Sequence, residues 1–282
     1  MSTPVLDKIA IQIAKKNHLT NVTFKGKGNF KETYVATTHN GELIALKLLD
    51  PQKCSLERSE REIQTMLKCD TPLIAKLYDH GLFNADNGQT YYFCIEEYMD
   101  GGSLAEKLSS GTLDSATIRE YAVSLIEALD YLRNMNLVHR DIKPENIMFR
   151  STSNVPVIVD LGIARDLSES SLTPTWLPRG PGTPYYSAPE QLNNEKHLIN
   201  WRTDQFSLGV VIGICLTGVH PFSETGMTKG DTVAAVGDRK SCTSDFMRRA
   251  SELGFGFVVK MIDPWPHRRY QSPAELLGDI RR

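Results

Sequence analysis

The spacing of apolar residues changes character once along this 282-residue chain, near residue 100, and that change limits its possible folds more than any other feature. From Val22 to Glu97 apolar residues come in short, strand-like runs broken by turn residues. Asn40-Gly41 and Asn87-Gly88 each fall between two such runs. Asn-Gly readily adopts the left-handed backbone that a tight hairpin turn requires. From Ser103 onward the period lengthens to that of a helix. Ile118, Tyr121, Ala122, Leu125, Leu129 and Leu132 make one apolar stripe behind Asp114, a residue suited to capping a helix start. Hairpins first and helices later predict an α+β chain: a small antiparallel sheet, then a larger and mostly helical part.

Finer features follow from the same periodicities. Val5, Ile9 and Ile13 predict a leading helix over 5–16, and Leu56, Ile63, Met66 and Leu67 predict the apolar face of one helix over 56–69 within the sheet region. Residues 156–160 read as a short strand ending in an acid, and 163–187, rich in Ser, Thr, Pro and Gly, as a long loop. Helices are expected near 188, over 202–218, 243–262 and 273–281, while 223–242 shows no clear period. Asp100-Gly101-Gly102 breaks the last strand. The chain therefore divides into 1–97, a connecting segment 98–102, and 103–282, with a cleft between the parts as the natural ligand site.

Composition excludes several classes. The formal net charge of −2 gives no broad cationic surface, so no nucleic-acid partner is expected. The apolar run Leu208–Val219 is too short to span a bilayer and is interrupted by glycine, so it reads as a buried helix. The N-terminus carries Asp7, Lys8, Lys15 and Lys16 where a signal peptide would be continuously apolar. The five cysteines are scattered, with no CxxC pair and no metal-like spacing to histidine, as in reduced cytosolic proteins. A soluble, cytoplasmic protein with no membrane partner is the expectation.

Residues 139–146 read His-Arg-Asp-Ile-Lys-Pro-Glu-Asn. This run places a carboxylate (Asp141), a cation (Lys143) and an amide oxygen (Asn146) on one short segment. Phosphoryl transfer calls for that set: an acceptor for a hydroxyl proton, a positive charge on the moving group and a hard ligand for Mg²⁺. The run resembles the catalytic loop of the eukaryotic-type (Hanks-type) Ser/Thr protein kinases. The likeness extends from about residue 22 to 281, and Gly182-Thr183-Pro184-Tyr185-Tyr186-Ser187-Ala188-Pro189-Glu190 resembles the end of the family's activation segment, with wording closest to its bacterial branch. It implies one protein kinase domain over 1–282, with a sheet N-lobe carrying one main helix, a hinge, and a larger helical C-lobe.

The resemblance assigns roles residue by residue. Gly26-Lys27-Gly28-Asn29-Phe30 is similar to the glycine-rich loop over ATP, although Lys31 stands at its third glycine position and Thr33 at its usual valine. In Ile44-Ala45-Leu46-Lys47, alternation puts Ala45 and Lys47 on one face, and the resemblance makes Lys47 the ligand of the α- and β-phosphates. Its helix partner would be Glu62, in Arg61-Glu62-Ile63, with Glu60 the alternative. Backbone groups of Glu97 and Met99 would bind the adenine edge, Glu96 would take the usually apolar gatekeeper position, and Met148 would also contact nucleotide. Asp141 and Lys143 would act on the acceptor hydroxyl and the γ-phosphate, and His139 would be a packed structural residue. Asn146 and Asp160, in Asp160-Leu161-Gly162, would hold Mg²⁺. Thr183 would bond Asp141 and Lys143, Asp204 would brace the catalytic-loop backbone, and Glu190 would pair with Arg269 or Arg268.

The implied activity is transfer of the γ-phosphoryl group of ATP to Ser or Thr hydroxyls of protein substrates. Arg140 beside the catalytic Asp goes with control by phosphorylation, so Ser168, Ser170, Ser171, Thr173 and Thr175 become expected autophosphorylation sites, reached through transient self-association. Two alternatives remain open. Lys31, Thr33 and Glu96 would suit a nucleotide-binding scaffold without turnover, and related bilobal folds phosphorylate small molecules such as aminoglycosides or choline.

Overall fold

A computed structural model describes residues 6–28, 31–49, 67, 69–111, 113–161, 165–166 (backbone only) and 183–282. The chain forms two compact units, Met1–Asp100 and Gly101–Arg282.

The first unit opens with α1 (Asp7–Lys16), whose Asp7 and Lys15/Lys16 complement the helix dipole at its two ends. Five antiparallel strands follow: β1 (Thr20–Lys27), β2 (Lys31–Thr37), β3 (Leu43–Leu49), β4 (Leu77–Asn84) and β5 (Thr90–Glu97), in the spatial order β1-β2-β3-β5-β4. Both Asn-Gly pairs lie in hairpin loops, between β2 and β3 and between β4 and β5. One face of the two central strands presents Ile44, Leu46, Leu48, Phe93 and Ile95, which join Ile9, Ala10 and Ile13 of α1 in a single apolar cluster. The opposite face presents Ala45, Lys47, Cys94 and Glu96, all buried. β3 thus hides both faces, which is why its sequence reads as a nearly continuous apolar run with one cation. Glu32 ties α1 to the sheet. Its carboxylate accepts from the Leu6 N–H (3.0 Å) and the Tyr34 hydroxyl (2.8 Å) and pairs with Lys27 (2.9 Å). Leu67, expected on the apolar face of a helix over 56–69, is instead exposed at 51%. The remaining apolar positions of that stripe lie outside the described residues.

The second unit is mostly helical. A reciprocal Ser103–Glu106 capping box starts α2 (Leu104–Ser110), and Asp114 caps α3 (Ser115–Asn134) by accepting from the Thr117 N–H (2.9 Å). Two small ladders follow. β6 (Leu137–Val138) pairs with β9 (Arg165–Asp166), and β7 (Ile147–Phe149) pairs with β8 (Pro156–Ile158). The strand expected over 156–160 therefore ends at Ile158, leaving Val159 and Asp160 outside it. After the short α4 (Pro189–Leu192) comes α5 (Trp201–Thr217), buried on all sides from Thr203 to Gly213. It stops at Thr217 because Gly218 turns left-handed (φ 72°), so Val219, which the apolar run had included, is exposed. The region without clear period contains α6 (Lys229–Gly237), started by a Thr228–Asp231 capping box. The single helix expected over 243–262 is two, α7 (Ser244–Glu252) and α8 (Gly256–Met261), separated at Gly254 (φ 76°). α9 (Pro273–Ile280) closes the chain.

Among the described residues no helix is long and apolar enough to cross a membrane. Among the described residues, Cys94, Cys215 and Cys242 are buried and Cys69 is half-buried. Burial pushes the Cys215 thiol up to about 12 and those of Cys69 and Cys242 up to about 11, so these three stay protonated and inert at neutral pH.

His220, in the loop after α5, fastens that loop to the segment before α4. Its Nε2–H donates to the Tyr185 carbonyl (2.9 Å), and its Nδ1 accepts the Phe222 N–H (3.2 Å). Burial lowers its pKa from 6.5 to about 4, against the opposing pull of the Tyr185 carbonyl. The unfolded chain therefore binds the proton first as pH falls. Stability is intact above about pH 6.5 and declines between there and about 4, by about 3 kcal/mol for this depression. His220→Gln keeps one donor and one acceptor but cannot titrate. Urea denaturation at pH 7 and pH 4 should show the variant losing about 3 kcal/mol less than the wild type. An unchanged acid loss would place the sensitivity elsewhere.

Candidate active site

The segment 139–146 spans the gap between β6 and β7, so both of its ends are anchored in strands. Its first two residues are held by α5. Asp204, fully enclosed near the start of that helix, accepts the backbone N–H of His139 (2.7 Å) and of Arg140 (2.8 Å). Burial raises the Asp204 pKa, while His139 and those two N–H groups pull it down. Arg140 takes a left-handed backbone (φ 71°), and its carbonyl accepts from the Gln191 side chain (2.9 Å), whose other end accepts the Ala188 N–H (3.1 Å). His139 is completely buried. Its Nδ1 accepts the Asp141 N–H (3.2 Å) and its Nε2–H donates to the Val159 carbonyl (3.2 Å), which fixes the orientation of the ring.

These bonds present the Asp141 carboxylate to four donors. One oxygen accepts the Thr183 N–H (3.0 Å) and the Thr183 hydroxyl (2.8 Å). The other accepts the Lys143 ammonium (2.7 Å) and the Asn146 amide N–H (3.1 Å). Lys143 also donates to the Thr183 oxygen (2.8 Å), and Asn146 to the Asp141 carbonyl (2.9 Å). The Asn146 nitrogen is thereby engaged, which leaves its amide oxygen as the atom that could hold a cation. The Val159 N–H donates to the Asn146 carbonyl (3.0 Å), bringing the end of β8 alongside. Asp160 follows with a left-handed backbone (φ 69°), a conformation short polar side chains tolerate and which clusters at functional sites. Leu161 behind it is buried, and Met148 is half-buried on β7.

Below this group lies an ion pair with neither side chain exposed. Arg269 donates twice to Glu190, at 2.7 and 3.0 Å, and also to the carbonyls of Asp263 (2.7 Å) and Arg202 (2.9 Å). Of the two arginines the sequence offers, Arg269 takes the pair; Arg268 is exposed.

The remaining expected site residues lie in the first unit. Gly26 is the penultimate residue of β1, with open space where a Cβ would be, and the Gly28 N–H donates to the Lys31 carbonyl (2.8 Å); Lys27 is occupied by Glu32. Thr33 lies opposite Lys47 in the β2–β3 register, and Ala45 opposite Glu96 in the β3–β5 register. The Glu97 N–H donates to the Lys76 carbonyl (2.8 Å), and Met99 is buried. Lys47 donates to Glu96 at 2.6 Å. Asn29, Phe30 and Glu62 lie outside the described residues, as do Ser168, Ser170, Ser171, Thr173 and Thr175. Two positions were not expected to serve the site: Gln191, which carries no local signal, and Glu96 as the partner of Lys47, which needed the strand register.

The protein kinase domain family matches residues 20–278. A probable serine/threonine-protein kinase of Streptomyces coelicolor is 33% identical over 269 residues, covering 90% of this chain and 38% of that protein. CBL-interacting protein kinase 26 of Oryza sativa is 30% identical over 253 residues (88% and 49%), and CBL-interacting serine/threonine-protein kinase 26 of Arabidopsis thaliana is 32% identical over 260 residues (90% and 56%). The chain thus spans roughly 38 to 56% of the length of these relatives.

Proposed function

The chain belongs to the protein kinase family, and from that premise we propose that it transfers the γ-phosphoryl group of ATP to Ser or Thr hydroxyls of protein substrates. The observation that carries the reading is the convergence of Lys143, Asn146 and Thr183 on the Asp141 carboxylate. Asp141 orients the acceptor hydroxyl and receives its proton. Its four acceptor positions are all filled, so the incoming hydroxyl displaces one donor or shares an oxygen with it. Lys143 already lies 2.7 Å from that carboxylate, where its charge can meet a phosphoryl oxygen arriving at the same hydroxyl. Such catalysis is positioning plus electrostatics, which suits a loop held by backbone bonds to a buried helix.

The donor chemistry also fits Mg²⁺. Asn146 and Asp160 offer an amide oxygen and a carboxylate, and Mg²⁺ characteristically takes one or two protein oxygens and completes its shell with phosphates and water. Among the described residues there is no cluster of three or more His, Cys, Asp or Glu that would suit a softer or fully protein-held metal. When bound, the ion neutralises charge on the phosphates. Lys47, Glu97, Met99 and the 26–28 segment supply nucleotide contacts in this reading. Autophosphorylation in 163–183, through transient self-association, is its regulatory extension.

The test is transfer of label from γ-labelled ATP with Mg²⁺ into the purified protein and a generic protein acceptor, with phosphoamino-acid analysis. Label on Ser and Thr is expected. ATP binding without label would favour a non-catalytic scaffold, and label only on aminoglycoside or choline acceptors would move the protein to the small-molecule kinases.

A further inference from the structure

A buried ammonium is costly without a fixed counter-charge, and Lys47 has one that the sheet itself supplies. β3 and β5 pair antiparallel with Ala45 opposite Glu96 and Lys47 opposite Cys94. Glu96 therefore sits two positions diagonally from Lys47 on the same face, within reach of a long side chain. The ammonium and the carboxylate meet at 2.6 Å with side-chain exposures of 10% and 3%. Their neighbours on that face, Ala45, Leu49, Tyr92 and Cys94, are buried. The adjacent carboxylate, Glu97, is engaged separately, accepting the Lys76 N–H at 3.4 Å.

We propose that Glu96 is the positioning residue for Lys47: a carboxylate on the neighbouring strand holds the phosphate-binding lysine by strand register. This rests on the kinase reading and deepens it. An ammonium has three N–H donors. One goes to Glu96, and two are left to meet phosphate oxygens. A pair built across two hydrogen-bonded strands keeps its geometry whenever the sheet is intact, so the lysine is set in place before nucleotide arrives. The carboxylate that looks out of place beside a nucleotide pocket is then the element that prepares it.

A double-mutant cycle tests this, using Glu96→Gln, Lys47→Met and the combination, read by ATP·Mg²⁺ affinity in a calorimeter and by thermal melting without ligand. Glu96→Gln should weaken ATP binding about tenfold or more and raise KM more than it lowers kcat. In the Lys47→Met background the same change should have little further effect on affinity, and the melting losses should be strongly non-additive. Additive losses in both readouts would overturn the proposal, as would Glu62→Gln reproducing the affinity loss while Glu96→Gln has none. If Glu96→Gln does not fold, Lys47→Met with Glu96→Leu decides: recovery of folding when both charges are removed supports the pair, and no recovery refutes it. A wild-type protein that binds no ATP would remove the kinase reading, whereas the melting cycle would still decide the pair.

Discussion

Asp141→Asn should lower phosphoryl transfer by about three orders of magnitude, within the range that a positioned proton acceptor contributes. The reasoning is local. The carboxylate receives four donors, two on each oxygen. An amide in its place offers one acceptor oxygen and an NH₂ group, which must then face either the Thr183 donors or Lys143 and Asn146. It also cannot take the substrate proton. The loop itself should survive, because Asp204 and Gln191 hold its backbone through three bonds, none of which involves the Asp141 side chain. Single-turnover transfer, ATP affinity and a melting curve on the same preparation check this. Activity within about tenfold of wild type would mean that Asp141 is not the acceptor in this protein.

Arg269→Met should cost about 3–5 kcal/mol of stability, the range for breaking a buried pair by removing one partner. The Glu190 carboxylate would remain in a site with no solvent access, and the carbonyls of Asp263 and Arg202 would lose their donor. A lysine is no substitute there, since the guanidinium makes two parallel bonds to the carboxylate. The midpoint of urea unfolding measures the loss. Adding Glu190→Gln should restore part of it, because the stranded charge is then gone. A loss under about 1 kcal/mol for Arg269→Met would show that water reaches the pair.

Both predictions fall on residues that could be read from the sequence, and the reason is that their chemistry is encoded locally. The octet 139–146 carries its acid, cation and amide within eight positions, and the structure needs only one distant residue, Thr183, to complete the group. The hairpins were legible because Asn-Gly marks their turns, and α3 because its stripe and its cap agree. Less could be read where tertiary context decides. α5 has apolar residues on every side, so periodicity gave its presence but not its end, which Gly218 sets. The split of 243–262 depends on a single left-handed glycine. The contact between Lys47 and Glu96, 49 positions apart in the chain, is brought about by the β3–β5 register and has no local signal, while Glu62, where the family wording points, lies outside the described residues.

The grip of Asp204 on the catalytic loop also limits which sequences can occupy it. Both bonds run to main-chain N–H groups, at residues 139 and 140, and proline has none to offer. At 140 a second bar applies independently, since a ring locked near −65° cannot reach a φ of 71°. Side chains at these two positions can in principle drift as far as packing allows, but a mutational path that passes through proline at either one is closed. Codon neighbours make that concrete: the His codons CAU and CAC and the CGN codons of Arg are each one base from a proline codon, so single-base changes from them propose the one residue the backbone refuses.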